Sequence, residues 1–260
     1  MTLHFEKYHG SGNDFILIDN RRKNFQLTKE EIARICDRHL GVGADGLILI
    51  ENDPKLDFEM KYFNADGGLG SLCGNGGRCA VKFAAKHQLI RQSAKFAAFD
   101  GEHEAVFIGE DSVKLSMLPV EGIKKQDDAY ILNTGSPHFV KFVDDVAAID
   151  VVNEGKKIRY SESFGNGGIN VNFVAVNGKV IHMRTYERGV EDETLSCGTG
   201  TIAAAITCGI RNNVIGRQEY EINSPGGLLK VYFDRKKEDV FEDVWLEGPV
   251  AFVFEGDLQI

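Results

Sequence analysis

The chain has 260 residues, of which 43% are hydrophobic and 27% charged. These are globular proportions, with length for one large or two small domains at about 150 residues each. No apolar run approaches the ~18 residues of a spanning helix, and Met1 to Lys7 lack the basic-then-apolar layout of a secretion signal. The net charge is −9 with no block of Lys or Arg, which argues against nucleic acid and anionic membranes as partners. Five cysteines without an export signal point to a reducing cytoplasm.

Taken in order, the chain reads as mixed α and β. The run Phe15-Ile16-Leu17-Ile18 predicts a strand. Thr28 to Glu31 form a capping box, and Ile32, Ile35, Cys36 and His39 follow at helical spacing, with Gly41 as the expected stop. Gly46 to Ile50 predicts a short buried strand, and the alternation of Leu56, Phe58, Met60 and Tyr62 with charged residues a half-buried one. That strand runs into Asn64-Ala65-Asp66-Gly67. Residues 80 to 89 predict a helix and 96 to 118 a β-meander. In the second half, Asn177-Gly178 between two apolar alternating runs is a hairpin signal. A two-residue turn there places Asn170 opposite Thr185 and on one face with Thr185 and Glu187. Residues 203 to 210 predict another helix, and the remainder is mostly strand.

Glycine makes up 29 of 260 residues, against a typical ~7%, and clusters around two cysteines. Cys73-Gly74-Asn75-Gly76 recurs 124 residues later as Cys197-Gly198-Thr199-Gly200, and Ala80 recurs as Ala204. Gly10-Ser11 with Asp19 recurs 125 residues later as Gly135-Ser136 with Asp144. The near-constant offset predicts two similar halves. Pro119 and the polar stretch 121 to 128 mark the seam.

Each repeated cysteine stands between a strand and a helix. A helix start presents outward N–H groups and a positive dipole, which favour the thiolate. Glycines there let backbone amides approach an anion. Two such elbows in related halves suit one chemistry: one thiolate removes a proton from a carbon while the opposite thiol delivers one to its other face. Other readings weigh against this one. Cys73 and Cys79 could ligate zinc, but the spacing Cys-x2-Cys and a matching His pair are absent, so no metal is expected. A Cys73–Cys197 disulfide is disfavoured in the cytoplasm. Cys36, Cys79 and Cys208 lie on apolar helical faces as core residues. Neither a P-loop nor a dinucleotide-binding fingerprint is present.

The segments His9 to Phe15, Asn64 to Gly67, Cys73-Gly74-Asn75-Gly76-Gly77-Arg78-Cys79, Glu187-Arg188-Gly189 and Cys197 to Gly200 resemble the diaminopimelate epimerase family, in the family's order and over nearly the whole chain. The cysteine elbows alone are shared with proline racemase-like enzymes; the Asn-Ala-Asp-Gly and Glu-Arg-Gly segments narrow the match. The resemblance implies two α/β (α+β) domains of like fold, each a curved, mostly antiparallel sheet around a central helix, with the active site in the cleft between them and the last strand returning to the first domain, so that residues 1–120 with 250–260 form one domain and residues 121–249 the other. It implies a PLP-independent, cofactor-free isomerase of the cytoplasm, usually a homodimer. Its reaction interconverts LL- and meso-2,6-diaminopimelate for lysine and peptidoglycan precursors. By motif, Cys73 and Cys197 resemble the acid–base pair, and His138 and Glu187 the polar residues flanking it. Asn13, Asn64, Asn170, Glu187 and Arg188 resemble substrate-binding residues, with Gly74, Asn75, Gly198 and Thr199 making elbow contacts. Two departures stand out. Ser136-Pro137-His138 replaces the usual Asn-Pro-His, and the loop 190–194 is one residue longer than is common.

Taken singly, Asn64 reads better as a turn residue, Glu187 and Arg188 as a solvated pair, and His138 as a structural histidine; together with the cysteine elbows they favour function. Two competing functions remain at this stage. One is a racemase or double-bond isomerase of the same fold acting on another small acid. The other is a non-enzymatic thiol sensor or binding module, with one reactive cysteine and no proton exchange at a substrate carbon.

Overall fold

A computed structural model describes residues 2–70, 72–165, 167–178 and 180–259. The chain divides into two compact units, residues 1–115 with 248–260 and residues 116–247. No helix among the described residues is long and apolar enough to cross a membrane.

In the first unit, β1 (Thr2–Gly10) turns through Ser11 and Gly12 into β2 (Asn13–Asp19), and the two pair antiparallel. Helix α1 (Lys29–Cys36) carries the chain to β3 (Gly46–Glu51), which lies parallel to β2. β4 (Phe58–Asn64) pairs antiparallel with β3. Helix α2 (Gly74–Lys86) is the second crossover, leading to β5 (Ser93–Ala98) parallel to β4. β6 (Gly101–Phe107) and β7 (Ser112–Ser116) complete an antiparallel meander.

The second unit repeats the scheme. β8 (Lys124–Gln126), β9 (Ala129–Asn133) and β10 (Pro137–Phe142) are antiparallel neighbours. Helix α3 (Val151–Arg159) leads to β11 (Asn170–Asn177), parallel to β10. β12 (Val180–Glu187) pairs antiparallel with β11, and the short β13 (Asp192–Thr194) folds back on β12. Helix α4 (Gly198–Arg211) then crosses to β14 (Gly216–Ser224), parallel to β12, and β15 (Gly227–Lys237) and β16 (Val240–Pro249) follow antiparallel. The last strand, β17 (Ala251–Gln259), pairs with β1 as β8 pairs with β9. From β1 and from β9 onward, the order of antiparallel and parallel pairings is therefore the same in both units.

The central helices are enclosed because their sequences are apolar or small around most of the circumference. In α4, Ile202, Ala203, Ala204, Ala205, Ile206 and Cys208 are all buried, packed with Val140, Val174, Met183, Leu229 and Val231. In α2, Cys79, Ala80, Val81, Phe83 and Ala84 are buried. Both helices begin six or five residues earlier than the sequence suggests, immediately after their cysteines. Glycine is a poor helix former, but the Cys73 carbonyl accepts from Gly77 N–H (2.7 Å) and the Cys197 carbonyl from Thr201 N–H (2.9 Å), so tertiary enclosure overrides propensity.

Two local expectations are corrected. Helix α1 has its capping box, but it ends at Cys36 rather than near Gly41. The Asp37 carboxylate accepts from the N–H groups of His39 and Leu40 (both 2.7 Å), an alternative to helical pairing that stops the helix. The β11–β12 hairpin pairs Asn172, not Asn170, with Thr185. Asn177 still belongs to the strand, and Gly178, with φ +64°, is the first loop residue; Lys179 lies outside the described residues. The slip moves each partner by two positions, so Asn170, Asn172, Thr185 and Glu187 keep the expected common face.

Candidate functional site

The first half-site lies where β1 turns into β2 above the start of α2. Cys73 is the N-cap of α2, in extended conformation, and its side chain makes no capping bond. The first-turn N–H groups therefore point outward as an anion-binding end. The Cys73 thiol donates to Asn13 Oδ1 (3.6 Å), which also accepts from Asn75 Nδ2 (3.2 Å). Asn13 has a fixed amide direction, because its Nδ2 donates to the Asp45 carboxylate at 2.6 Å. Behind it, Asp14 sits between Lys7 and Arg38. Burial pushes the Asp14 carboxyl up, but these two cations pull it further, to about 2.

Arg78 is fully buried beneath this elbow and donates to Asn75 Oδ1 (2.8 Å), Ser11 Oγ (3.3 Å) and the Gly74 carbonyl (3.3 Å). Burial lowers its guanidinium to about 10, so it stays charged near neutrality. A Cβ on Gly10 would stand 3.0 Å from the Asn75 carbonyl oxygen, which explains a glycine at that point. Asn64 is exposed at the end of β4, its Oδ1 accepting from Tyr62 OH (3.0 Å) and its backbone closing the turn to Gly67 and Gly68. It belongs to this unit, but no hydrogen bond joins it to Cys73 or Asn75.

The second half-site has the same plan with different side chains. Cys197 is the extended N-cap of α4, again without a capping bond, and only 5% exposed. Thr199 Oγ1 lies 3.6 Å from its sulfur. His138, two residues after Ser136 as Asn13 is two after Ser11, places Nε2 2.9 Å from both Thr199 Oγ1 and Ser136 Oγ. Its Nδ1 accepts from Asn172 Nδ2 (3.1 Å). The ring is fully buried, and burial, aided by the Arg188 charge, lowers it to about 3, so it is neutral.

Asn170 accepts Arg188 N–H on Oδ1 (2.9 Å) and donates through Nδ2 to the Pro137 carbonyl and Ser136 Oγ. It therefore ties the start of β11 to the end of β12. Glu187 accepts from Thr194 Oγ1 (2.8 Å), and Arg188 donates to the Gly167 carbonyl (3.2 Å). No carboxylate among the described residues forms an ion pair with Arg188. The loop 190–194 is ordered around Glu191, whose carboxylate accepts from Arg159, Tyr160, Tyr186 and the Gly189 N–H. This fixes the turn that carries Glu187 and Arg188.

Within each unit the expected residues therefore assemble: Asn13, Cys73, Gly74 and Asn75 in the first, and His138, Asn170, Glu187, Arg188, Cys197, Gly198 and Thr199 in the second. All five cysteines are free. Burial pushes the Cys36 and Cys208 thiols up to about 12 and that of Cys79 higher still, so these three are inert core groups. Sequence reasoning gave no role to Arg78, Asp45 or Asn172. The signal for Asn172 was present: polar Asn170 and Asn172 alternate with apolar residues in a strand that is otherwise core.

The same fold occurs in solved structures of low sequence identity. A phenazine biosynthesis protein of the PhzF family from Bacillus anthracis superposes with a TM-score of 0.79 at 15% identity over the full length of both chains. A hydroxyproline epimerase from Agrobacterium vitis gives 0.76 at 13% identity, covering 99% of this chain and 92% of that one. The fold is thus that of the PhzF and proline racemase-like proteins, with a cysteine-capped helix in each unit here. Sequence comparison is narrower. The family model of diaminopimelate epimerase matches residues 5–119 and 130–253. A diaminopimelate epimerase of Flavobacterium psychrophilum is 48% identical, covering 96% of this chain and 97% of its own, and one of Chlorobaculum tepidum is 42% identical, covering 96% and 99%. The chain belongs to the diaminopimelate epimerase family.

Proposed function

We propose that the protein is an isomerase that interconverts LL- and meso-2,6-diaminopimelate, a step toward lysine and peptidoglycan precursors. The observation that carries this reading is a cysteine at the N-cap of the central helix in each of two units with one strand order, in a chain that belongs to this family. Cys73 and Cys197 act on opposite faces of one α carbon. One sulfur takes the proton and the other returns one, so the centre inverts. The elbow amides at Gly74, Asn75, Gly198 and Thr199 receive the reacting carboxylate and the charge that develops on proton loss. Asn13 and His138 flank the sulfurs from the matching positions of the two units.

Arg188 takes the carboxylate of the end that does not react, because a guanidinium binds it bidentately and the side chain of this one has, among the described residues, only a carbonyl partner. Glu187, Asn170 and Asn64 complete the contacts to substrate. No cofactor is needed for this chemistry, since thiol and thiolate supply both proton transfers. Localisation in the cytoplasm agrees with free thiols and an acidic chain. A homodimer agrees with the exposed apolar residues Phe252, Val253 and Phe254 of β17.

Chiral chromatography of LL-diaminopimelate incubated with the full-length protein, without pyridoxal phosphate, should show meso product accumulating to equilibrium. Conversion of proline or hydroxyproline instead, with diaminopimelate untouched, would replace the substrate and keep the fold.

A further inference from the structure

We propose that Asn172 is a positioning residue: it fixes His138 as the Nε2–H tautomer, and so directs a chain of donor hydrogens through Thr199 onto the Cys197 sulfur. This rests on the reading that Cys197 is one of the two reacting thiols.

Hydrogen-bond directions carry the argument. Asn172 is fully buried, and its Nδ2 reaches both His138 Nδ1 and the Phe139 carbonyl at 3.1 Å. A carbonyl only accepts, so the atom facing both groups is the nitrogen. Its Oδ1 accepts from Thr185 Oγ1 (3.0 Å), which agrees. His138 Nδ1 must then offer its lone pair, and a neutral imidazole with a lone pair on Nδ1 carries its hydrogen on Nε2.

That hydrogen faces Ser136 Oγ and Thr199 Oγ1, both at 2.9 Å. Asn170 is oriented in the same way, by the Pro137 carbonyl and the Arg188 N–H, and its Nδ2 donates to Ser136 Oγ. Ser136 passes its own hydrogen to Thr199 Oγ1 (3.1 Å). Thr199 Oγ1 thus accepts from Ser136 and shares the single His138 Nε2 hydrogen with Ser136 Oγ, so both neighbours present donors to it. Its one hydrogen is left for the Cys197 sulfur at 3.6 Å. A donor at the sulfur stabilises the thiolate.

Burial and the Arg188 charge keep the ring neutral, so His138 works as a donor and not as a proton acceptor. Gly200 leaves room for the arrangement: a Cβ there would collide with Asn172 Oδ1 and stand 3.3 Å from the Cys197 sulfur. Ser136 is a link in the chain.

The test is nitrogen NMR of the full-length protein with 15N-labelled histidine. His138 Nε2 should appear in the protonated range and Nδ1 in the unprotonated range, both unchanged from about pH 5 to 9. A hydrogen on Nδ1, or an imidazolium at neutral pH, would overturn the proposal. In Asn172→Asp an acceptor replaces the donor at Nδ1. At about pH 8.5 the ring should then carry its hydrogen on Nδ1, and alkylation of Cys197 by iodoacetamide should slow about tenfold, one pKa unit at the sulfur. An unchanged Cys197 rate in a variant with reversed tautomer would break the link to the sulfur. If the variant does not fold, the wild-type spectrum decides alone. If Cys197→Ala keeps full activity, the functional reading falls while the tautomer assignment stands.

Discussion

At the first elbow the group beside the sulfur is the amide oxygen of Asn13; at the second it is the hydroxyl of Thr199. Apart from the short β13 the strands of the two units follow one order, and the two cysteines cap their helices alike. Behind Asn75 lies the buried guanidinium of Arg78, whereas the equivalent position in α4 is buried Ile202. Behind Thr199 lies neutral His138, whereas the equivalent position in β2 is Asn13. An acceptor beside a sulfur favours the thiol, and a donor favours the thiolate. A duplicated scaffold can thus hold two cysteines in one geometry while giving them unequal surroundings.

The comparison breaks hardest if only one sulfur matters. Cys73→Ala and Cys197→Ala should each lower kcat by about 10³-fold or more, within the range of lost acid–base catalysis. A loss confined to one variant, read from steady-state rates, would leave a single-base enzyme. Next in size is Arg188, which has no acidic partner among the described residues and belongs to the second unit alone. Arg188→Lys loses the fork that grips a carboxylate, so kcat/KM for diaminopimelate should fall about 10- to 100-fold. An analogue lacking the distal carboxylate should react unchanged; equal losses for both would make Arg188 structural.

The first-turn glycines sharpen the contrast in stability. A Cβ on Gly76 meets the Ile48 side chain at 3.2 Å, whereas one on Gly200 collides with the bonded Asn172 amide. Gly200→Ala should therefore cost about 1–3 kcal/mol in urea unfolding and Gly76→Ala less than about 1 kcal/mol. Equal costs would mean that the Asn172 position is not rigid.

The smallest expected effect is in pH. His138 titrates at about 3 when folded and at about 6.5 when unfolded, so over that window the unfolded chain binds the extra proton. Stability contributed by the neutral ring is present above about 6.5 and is lost as pH falls. The urea midpoint should drop more between pH 7 and 5 in the wild type than in His138→Gln. The matching Asn13 has no such dependence, and equal slopes would place a charged ring in the core.

Much of this was legible in the sequence because the informative signals are local. The glycine-flanked cysteines and the Thr28 capping box depend on neighbours in the chain, and the 124-residue repeat shows in the order of residues alone. The hairpin face was legible as well, since alternation survives a slip of two positions, whereas the partner of Asn170 depended on which residue took positive φ. What stayed hidden is non-local: Asp45 fixing Asn13 from across β2 and β3, Arg78 reaching back to Ser11, and Asn172 meeting His138 only because β10 and β11 run parallel. Gly41 misled because the Asp37 side chain ended the helix first.

In the proposed mechanism two thiols, one for each face of the α carbon, perform the inversion. Early in a reaction of LL-diaminopimelate in heavy water, newly formed meso product should carry deuterium at the inverted carbon while recovered substrate remains protiated. The receiving thiol returns its proton to solvent, and the opposite one delivers solvent hydrogen. Deuterium entering recovered substrate as fast as product, or original hydrogen carried into product, would contradict the account and leave one base serving both faces.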